Sequence, residues 1–558
     1  MKLNEKNIYG EYPLLTSCIN NNTKIVKLLM DYSAKNNIIL NLNEKDNKKR
    51  FPLLCVFDSN TELFQLIIEY ANKNNIILKL NEKDDDGLYP LLLGCFNNNI
   101  DCIRLLMKYA DKNNIILDLN GKENEYGEYP LFIAYNQCNI ELIKLLMEYA
   151  NKNNIILNLN GKDVDGSYPL LIACFSNNTE CVRLLIEYAN KNNIILDLNG
   201  KDNKNGNYPL LIAYKLGIIE SIELLIEYAN KNNIILNLNE KDVNGYYPLL
   251  AACCSNNTEY VRLLMEYADK NNIILNLNEK DYEEHYPLLL GCCKNNIDCV
   301  RLFMEYADKN NIILDLNGKD NIYGIYPLLI GYRVCNIELI KLLMEYTNKN
   351  DIILNLNEKD VNGYYPLMEA CCSNNIDFVR LLIEYANKNN ITLDLNGKNV
   401  KYGDYPLLIA YKQSNNELIK LLMEYANKNN IILNLNEKNL NGYYPLIEAC
   451  YSNNIDCIRL LMEYADKNNI ILDLNGKTEE GCYPILAACC SIHSDKLVQL
   501  LIEYANKNNI ILELNDKNKE GYNPVLYASQ STDNIKTLQL ITDYANENNI
   551  ILDINAKM

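Results

Sequence analysis

The chain has 558 residues, 48% of them hydrophobic and 23% charged, so it is neither expanded by charge nor membrane-like in composition. Its formal net charge of −18, from 72 acidic and 54 basic residues with no Lys/Arg run, argues against nucleic acid or an acidic membrane surface as a partner. No apolar run is long enough to span a bilayer, MKLNEKNIYG lacks a secretory apolar region, and 20 Cys without an export signal point to a reducing compartment. The expected location is intracellular and cytoplasmic, with the nucleus left open.

All 14 prolines fall on one repeat position, from Pro13 and Pro52 to Pro484 and Pro524, at spacings of 38 to 40 residues. A period of that size signals a solenoid or a propeller. The unit starting at Tyr168 reads YPLLIACFSNNTECVRLLIEYANKNNIILDLNGKDNKNGN. Pro169 suits the first turn of a helix, where its missing N–H has no intrahelical partner to lose. Leu170, Leu171, Ala173 and Cys174 make that helix short and apolar. Asn177 and Asn178 break it, since Asn tolerates the left-handed backbone of a tight turn.

Thr179 is the expected N-cap of a second helix. Val182, Leu184, Leu185 and Tyr188 give that helix its period, and it is expected to end near Asn192. IILDLN then alternates like a β-strand and leads through a Gly-Lys-Asp turn to the next Tyr-Pro. Each unit is thus a helix, a turn, a helix and an extended finger.

This order resembles the ankyrin repeat. The family's T-P-L-H-x-A appears as Tyr-Pro-Leu-Leu-x-Ala, its LLLE-x-G-A-D-x-N tail as LLIEYANKNN, and its turn as Asp163-Val164-Asp165-Gly166. The fourth residue after Pro is Ala or Gly in 12 of 14 repeats, Ser17 and Val56 being the exceptions, as close helix stacking demands. The likeness covers essentially the whole chain. It departs in its longer period, in Tyr and Leu where the family has Thr and His, and in lacking the glycine that ends the second helix. Tyrosine packing is therefore expected in place of the Thr–His hydrogen bonds. HEAT and armadillo arrays share a period near forty but lack the finger, and a WD40 propeller is built of strands. The expected fold is an all-α dominated solenoid of about fourteen helix-turn-helix units with β-like fingers, an ankyrin-like superhelix over residues 1–558. Its end repeats, 1–46 and 518–558, read as caps: Thr16 and Ser17 replace apolar and small residues, and Thr542 replaces Ile or Met.

A second rhythm overlies the first. Four fingers have eight residues from Lys to Pro, at Lys122, Lys201, Lys319 and Lys398, against seven in most others. The fifth residue after the Pro that follows is then Tyr135, Tyr214, Tyr332 or Tyr411, and among the ten other units it is Cys in eight. Pro130 to Pro327 and Pro209 to Pro406 both span 197 residues, consistent with duplicated five-repeat blocks. Tyr and Cys differ too much in volume to share one sealed site without adjustment. The position either borders a groove opened by the longer finger or is compensated inside the core.

Chemistry-bearing patterns are weak. The Cys fit helix packing, with no C-x-x-C and only two His in the chain, so no metal or cofactor is expected. His285 and His493 read as lone solvated side chains. The recurring Glu187 and Glu227 make a solvated row rather than a catalytic pair, and no catalytic residue is expected. Asn-x-Thr triplets at Asn21, Asn177, Asn256 and Asn390 are turn and loop chemistry in an intracellular chain.

Of 42 Tyr, fourteen close second helices and twelve precede Pro, so those 26 are structural. The candidates for binding are non-periodic: Tyr135, Asn136, Tyr214, Lys215, Tyr246, Tyr332, Arg333, Tyr364, Tyr411, Lys412 and Tyr443. Aromatic and basic residues of this kind are enriched at interface hot spots. The expected function is a non-enzymatic, monomeric scaffold binding another protein, along the concave surface of first helices and fingers that the resemblance implies. The rival is a spring-like spacer without a specific partner.

Overall fold

The computed structural model describes residues 2–57, 60–491, 494–530 and 534–553. Among them are 28 helices, in pairs, and no strand. The chain divides into two compact units, Met1–Asn276 and Leu277–Met558, each with seven helix pairs. Pairs run from Pro13–Ile19 with Thr23–Lys35 to Pro248–Cys254 with Thr258–Lys270 in the first unit. In the second they run from Pro287–Cys293 with Ile297–Asn310 to Pro524–Ala528 with Ile535–Glu547.

Every first helix begins on its proline, preceded by a residue in extended backbone, as at Tyr168 with φ −147° and ψ 164°. Tyr168 caps nothing with its side chain, as its replacement of Thr implies. Its ring is buried and its hydroxyl donates to the Gly200 carbonyl at 2.9 Å, thirty-two residues on. Tyr208 does the same to the Glu240 carbonyl at 2.9 Å, and Tyr405 to that of Glu437 at 2.8 Å. The tyrosine thus bonds as well as packs, fastening the first helix it precedes to the finger that follows.

The second helix runs Thr179–Lys191, and its N-cap is Asn178, one residue before the expected Thr179: the Asn178 side chain accepts from the Glu180 amide at 3.1 Å. The helix ends at Asn192 as expected, with Asn193 left-handed at φ 53°. Asn177 in the inter-helix turn has the same φ of 53°. Small residues four after proline are a steric need. A Cβ on Gly94 would stand 2.8 Å from Ile103 and 2.9 Å from Phe57 of the preceding repeat.

The extended segments are not strands, and this corrects the β-like expectation for the finger. Their leucines do alternate inward: Leu196 and Leu198 are buried while Ile195 is exposed. Their neighbours along the solenoid are reached through side chains instead of a backbone ladder. Asn160 donates its amide to the Ile195 carbonyl at 2.7 Å and accepts from the Asp197 N–H at 2.9 Å. Asn199 repeats this with Ile235 at 2.7 Å and Asn237 at 2.9 Å, and Asn436 with Ile471 and Asp473. This asparagine ladder explains the final Asn of IILDLN and satisfies backbone groups that a missing strand partner would leave open.

Two further ties act in register. The hydroxyl closing the second helix reaches back to the previous extended segment, Tyr228 donating to the Ile194 carbonyl at 2.9 Å and accepting from Leu196 N–H at 3.2 Å. In nine repeats the finger lysine lies over the Tyr of its Tyr-Pro, and such lysines reach the next finger. Lys201 sits 5.9 Å from the Tyr208 ring centre and donates to the Lys241 carbonyl at 3.0 Å. In the first repeat Thr16 is exposed and Ser17 is buried, its hydroxyl bonded to the Pro13 carbonyl at 2.7 Å.

Candidate functional site

Within each unit, fingers and first helices present a face whose side chains change from repeat to repeat. Three positions build it: the residue before Tyr-Pro, and the third and sixth residues after Pro. Each finger turn is shaped by the residue after its Lys. Asp242 accepts from the Asn244 and Tyr246 amides at 2.9 and 2.8 Å, and Gly245 supplies the left-handed backbone at φ 85°.

The structure separates the predicted residues into two groups. Tyr135, Tyr214, Tyr332 and Tyr411 are completely buried, which corrects their placement beside a groove. Each lies between its own repeat and the second helix of the next. Tyr214 meets Tyr260 edge-on at 6.4 Å, Tyr332 meets Phe378 at 6.0 Å, and the Tyr411 hydroxyl donates to the Cys457 carbonyl at 3.2 Å. The extra volume over Cys is thus absorbed in the core, and these rings offer nothing to a partner.

The residues that follow them do face solvent. Lys215 pairs with buried Asp242, bonds Asn207 at 3.0 Å and lies 5.5 Å from the ring centre of half-buried Tyr246. Arg333 reaches Asp360 at 2.8 Å and Glu369 at 2.7 Å. Lys412 grips both oxygens of Asp404 at 2.7 and 2.8 Å, and Asp404 also accepts from Asn439 at 2.8 Å. In the fourth repeat the same place is taken by neutral, exposed Asn136. Tyr364 and Tyr443 are half-buried on this face, Tyr443 against Tyr451 at 6.1 Å. Burial pushes the phenols of both Tyr364 and Tyr443 up.

Sequence reasoning missed the third residue after Pro. It is Ile, Leu or Ala in most units but Glu369 and Glu448 in two, a break in periodicity that marks the position. Burial, only partly offset by Lys412, pushes the Glu448 carboxyl up to about 7. Also missed was a cleft of about 800 Å³ in the first unit, between the fingers before and after the third repeat. Leu88, Leu93, Phe96 and Tyr126 supply its apolar lining, and Asp85, Asp86, Glu123, Glu125 and Glu128 its acidic side.

His285 is not solvated as expected. Its Nδ1 lies 3.3 Å from Asp281 and 3.4 Å from Glu283, with its ring four-fifths covered. Ligand atoms of the three fall within 4.8 Å of one another. Asp281 also accepts from the Glu283 and His285 amides, the task Asp242 performs in its own finger, so the trio is a finger turn that happens to carry an imidazole. His493 lies outside the described residues. The cysteines buried behind this face, Cys174 and Cys371 among them, are free thiols packed as small apolar groups, and burial pushes the Cys174 thiol up to about 12. Glu187 and Glu227 are exposed, as a solvated row requires.

The family model for ankyrin repeats (3 copies) matches residues 53–156, 150–235, 232–313, 311–392 and 391–471. The chain belongs to the ankyrin repeat family. Ankyrin repeats generally mediate protein–protein interaction, and the repeat here pairs two helices in each unit. No curated protein matches the sequence. Among the described residues of this ankyrin repeat protein, no helix is long and apolar enough to cross a membrane.

Proposed function

We propose that this chain is a non-enzymatic, monomeric scaffold that binds a partner protein through the face formed by its fingers and first helices, inside the cell. One observation carries this reading. The sixth residue after Pro is Phe96, Asn136, Phe175, Lys215, Arg333, Lys412 or Tyr451 in seven repeats and a recurring Cys at Cys254, Cys293, Cys372 and Cys490, and each of these is at least partly exposed. The residues that recur, such as Tyr168, Leu170 and Leu171, are buried. Variation at exposed positions is where partner choice can be written without disturbing the fold.

Affinity capture with the intact chain tests it. A saturable protein partner is expected, lost when Lys215, Arg333 and Lys412 are replaced together by Ala. Alanine at Lys144 and Arg262, exposed on second helices, is expected to leave capture unchanged. Capture that ignores the first set, or the absence of any saturable partner, favours the spacer.

A further inference from the structure

Three of the four long-finger repeats fill a small acidic or polar seat with their own cation, and the fourth does not. Lys215 sits between Asn207 and Asp242, and Lys412 on Asp404 beside Asn439. Arg333 sits on Asp360, with Ile325 at the position of Asn207. In the fourth repeat the corresponding residues are Glu128 and Asp163, two carboxylates, and the cationic position is Asn136. Neither carboxylate has an ion-pair partner within 4.0 Å among the described residues, and Lys122, the cation that acts on Asp163, is turned to the Lys162 carbonyl. Glu128 also lines the 800 Å³ cleft whose apolar wall is Leu88, Leu93, Phe96 and Tyr126. Of the other acids there, Asp85 is paired with Lys49 at 2.8 Å, and Glu123 is turned to the amides of Tyr126 and Glu128.

We infer that the seat between Glu128 and Asp163 receives a Lys or Arg side chain from a partner peptide, whose neighbouring apolar residue lies on Phe96 and Leu93. The inference rests on the scaffold reading above and adds the chemistry of the partner: a segment with a basic residue close to an aliphatic or aromatic one. Charge complementarity argues for it, because the intramolecular cation that occupies this place in three sister repeats is missing only where both flanking groups are acidic. Burial raises the Glu128 and Asp163 carboxyls, and like charge adds to both, from Glu123 and Asp163 on Glu128 and from Asp165 on Asp163. A cation arriving in the seat relieves that repulsion. The apolar wall supplies contact area beside it, the combination of buried anchor and charged neighbour that makes a hot spot.

The test uses the full chain and a displayed library of random dodecapeptides. Recovered peptides are expected to carry Arg or Lys within two or three positions of Leu, Ile or Phe. Asn136→Lys installs the cation that the sister repeats already tolerate, so the fold is kept while the seat is filled. Binding of a labelled recovered peptide, followed by fluorescence anisotropy, is expected to weaken by about tenfold or more with N136K and with E128Q. Replacing the peptide's basic residue by Ala is expected to cost as much in the parent chain and little further in N136K. Lys144→Ala, on an outward second helix, serves as the control. Peptides without basic enrichment, or equal binding by N136K and the parent, overturn the inference. If such peptides still lose affinity with F96A, the scaffold reading survives and only the seat is lost. If their binding is sensitive to K144A alone, both fail.

Discussion

Arg333 holds Asp360 across the boundary between two repeats, its guanidinium 2.8 Å from a carboxylate that solvent does not reach. Asp360 spends its other oxygen on the Asn362 and Tyr364 amides, at 2.9 and 2.7 Å, so the pair locks the finger turn to the preceding first helix. Arg333→Ala leaves the buried carboxylate and Glu369 without their cation. It is expected to destabilise the Leu277–Met558 unit by about 1–3 kcal/mol, R333K recovering part of this. Urea titration followed by circular dichroism measures it, and an unshifted midpoint means the loop amides alone suffice.

Glu448 makes the same face sensitive to pH. Its folded pKa is raised from 4.5 to about 7, so the folded state binds this proton more tightly than the unfolded one. The stability it contributes is fully present below about pH 4.5 and is lost as pH rises through about 7. With allowance for its partial exposure, the parent is expected to lose about 1–2 kcal/mol between pH 5 and 8 relative to E448Q. Urea midpoints of the two proteins across that range check this, and parallel curves would contradict it.

The asparagine ladder is expected to respond one rung at a time. Asn160→Ala removes the bond to the Ile195 carbonyl and leaves the Asp197 amide without its acceptor. The expected cost is about 1 kcal/mol, because both groups are partly reached by water. Hydrogen exchange localises it: the Asp197 amide exchanges faster while that of Asn237, held by Asn199, is unchanged.

Tyr332→Ala is expected to act on folding. The ring is wholly buried against Phe378, so its removal costs about 3–5 kcal/mol, whereas Y332F is nearly silent since the hydroxyl makes only a 3.4 Å bond. Thermal unfolding separates the two. A Y332A protein of parental stability that has lost a partner would return the tyrosine to the binding face.

Much of this architecture is legible in the residues themselves. Proline at the first helical position, paired asparagines at turns and a tyrosine closing each second helix each have one local explanation, so Pro169, Asn177 and Tyr188 place the helices within a residue. Alternation in the finger reports only which side chains point inward. Leu196 and Leu198 do so, and nothing in that pattern tells a strand from a segment held by Asn160. The burial of Tyr135 and its three equivalents is illegible in the sequence for a related reason. A change of volume shows that something adjusts, and only coordinates show that the next repeat's second helix does the adjusting. The basic residues after them stand out because they break the period, as Glu369 and Glu448 do at the third position after Pro.

The ladder also bears on how long the protein lasts. Several of its asparagines precede glycine, the pairing in which a chain most readily cyclises to a succinimide and ages. That reaction needs the glycine nitrogen to attack the asparagine side-chain carbon. At Asn120–Gly121 the nitrogen is bound to Asp118 at 2.8 Å, and the asparagine oxygen is held by the Asn158 amide at 2.9 Å. Gly200 and Gly318 are restrained in the same manner by Asp197 and Asp315, each at 2.8 Å. Folding therefore shelters these ladder bonds from decay, and a repeat that opens exposes its own clock.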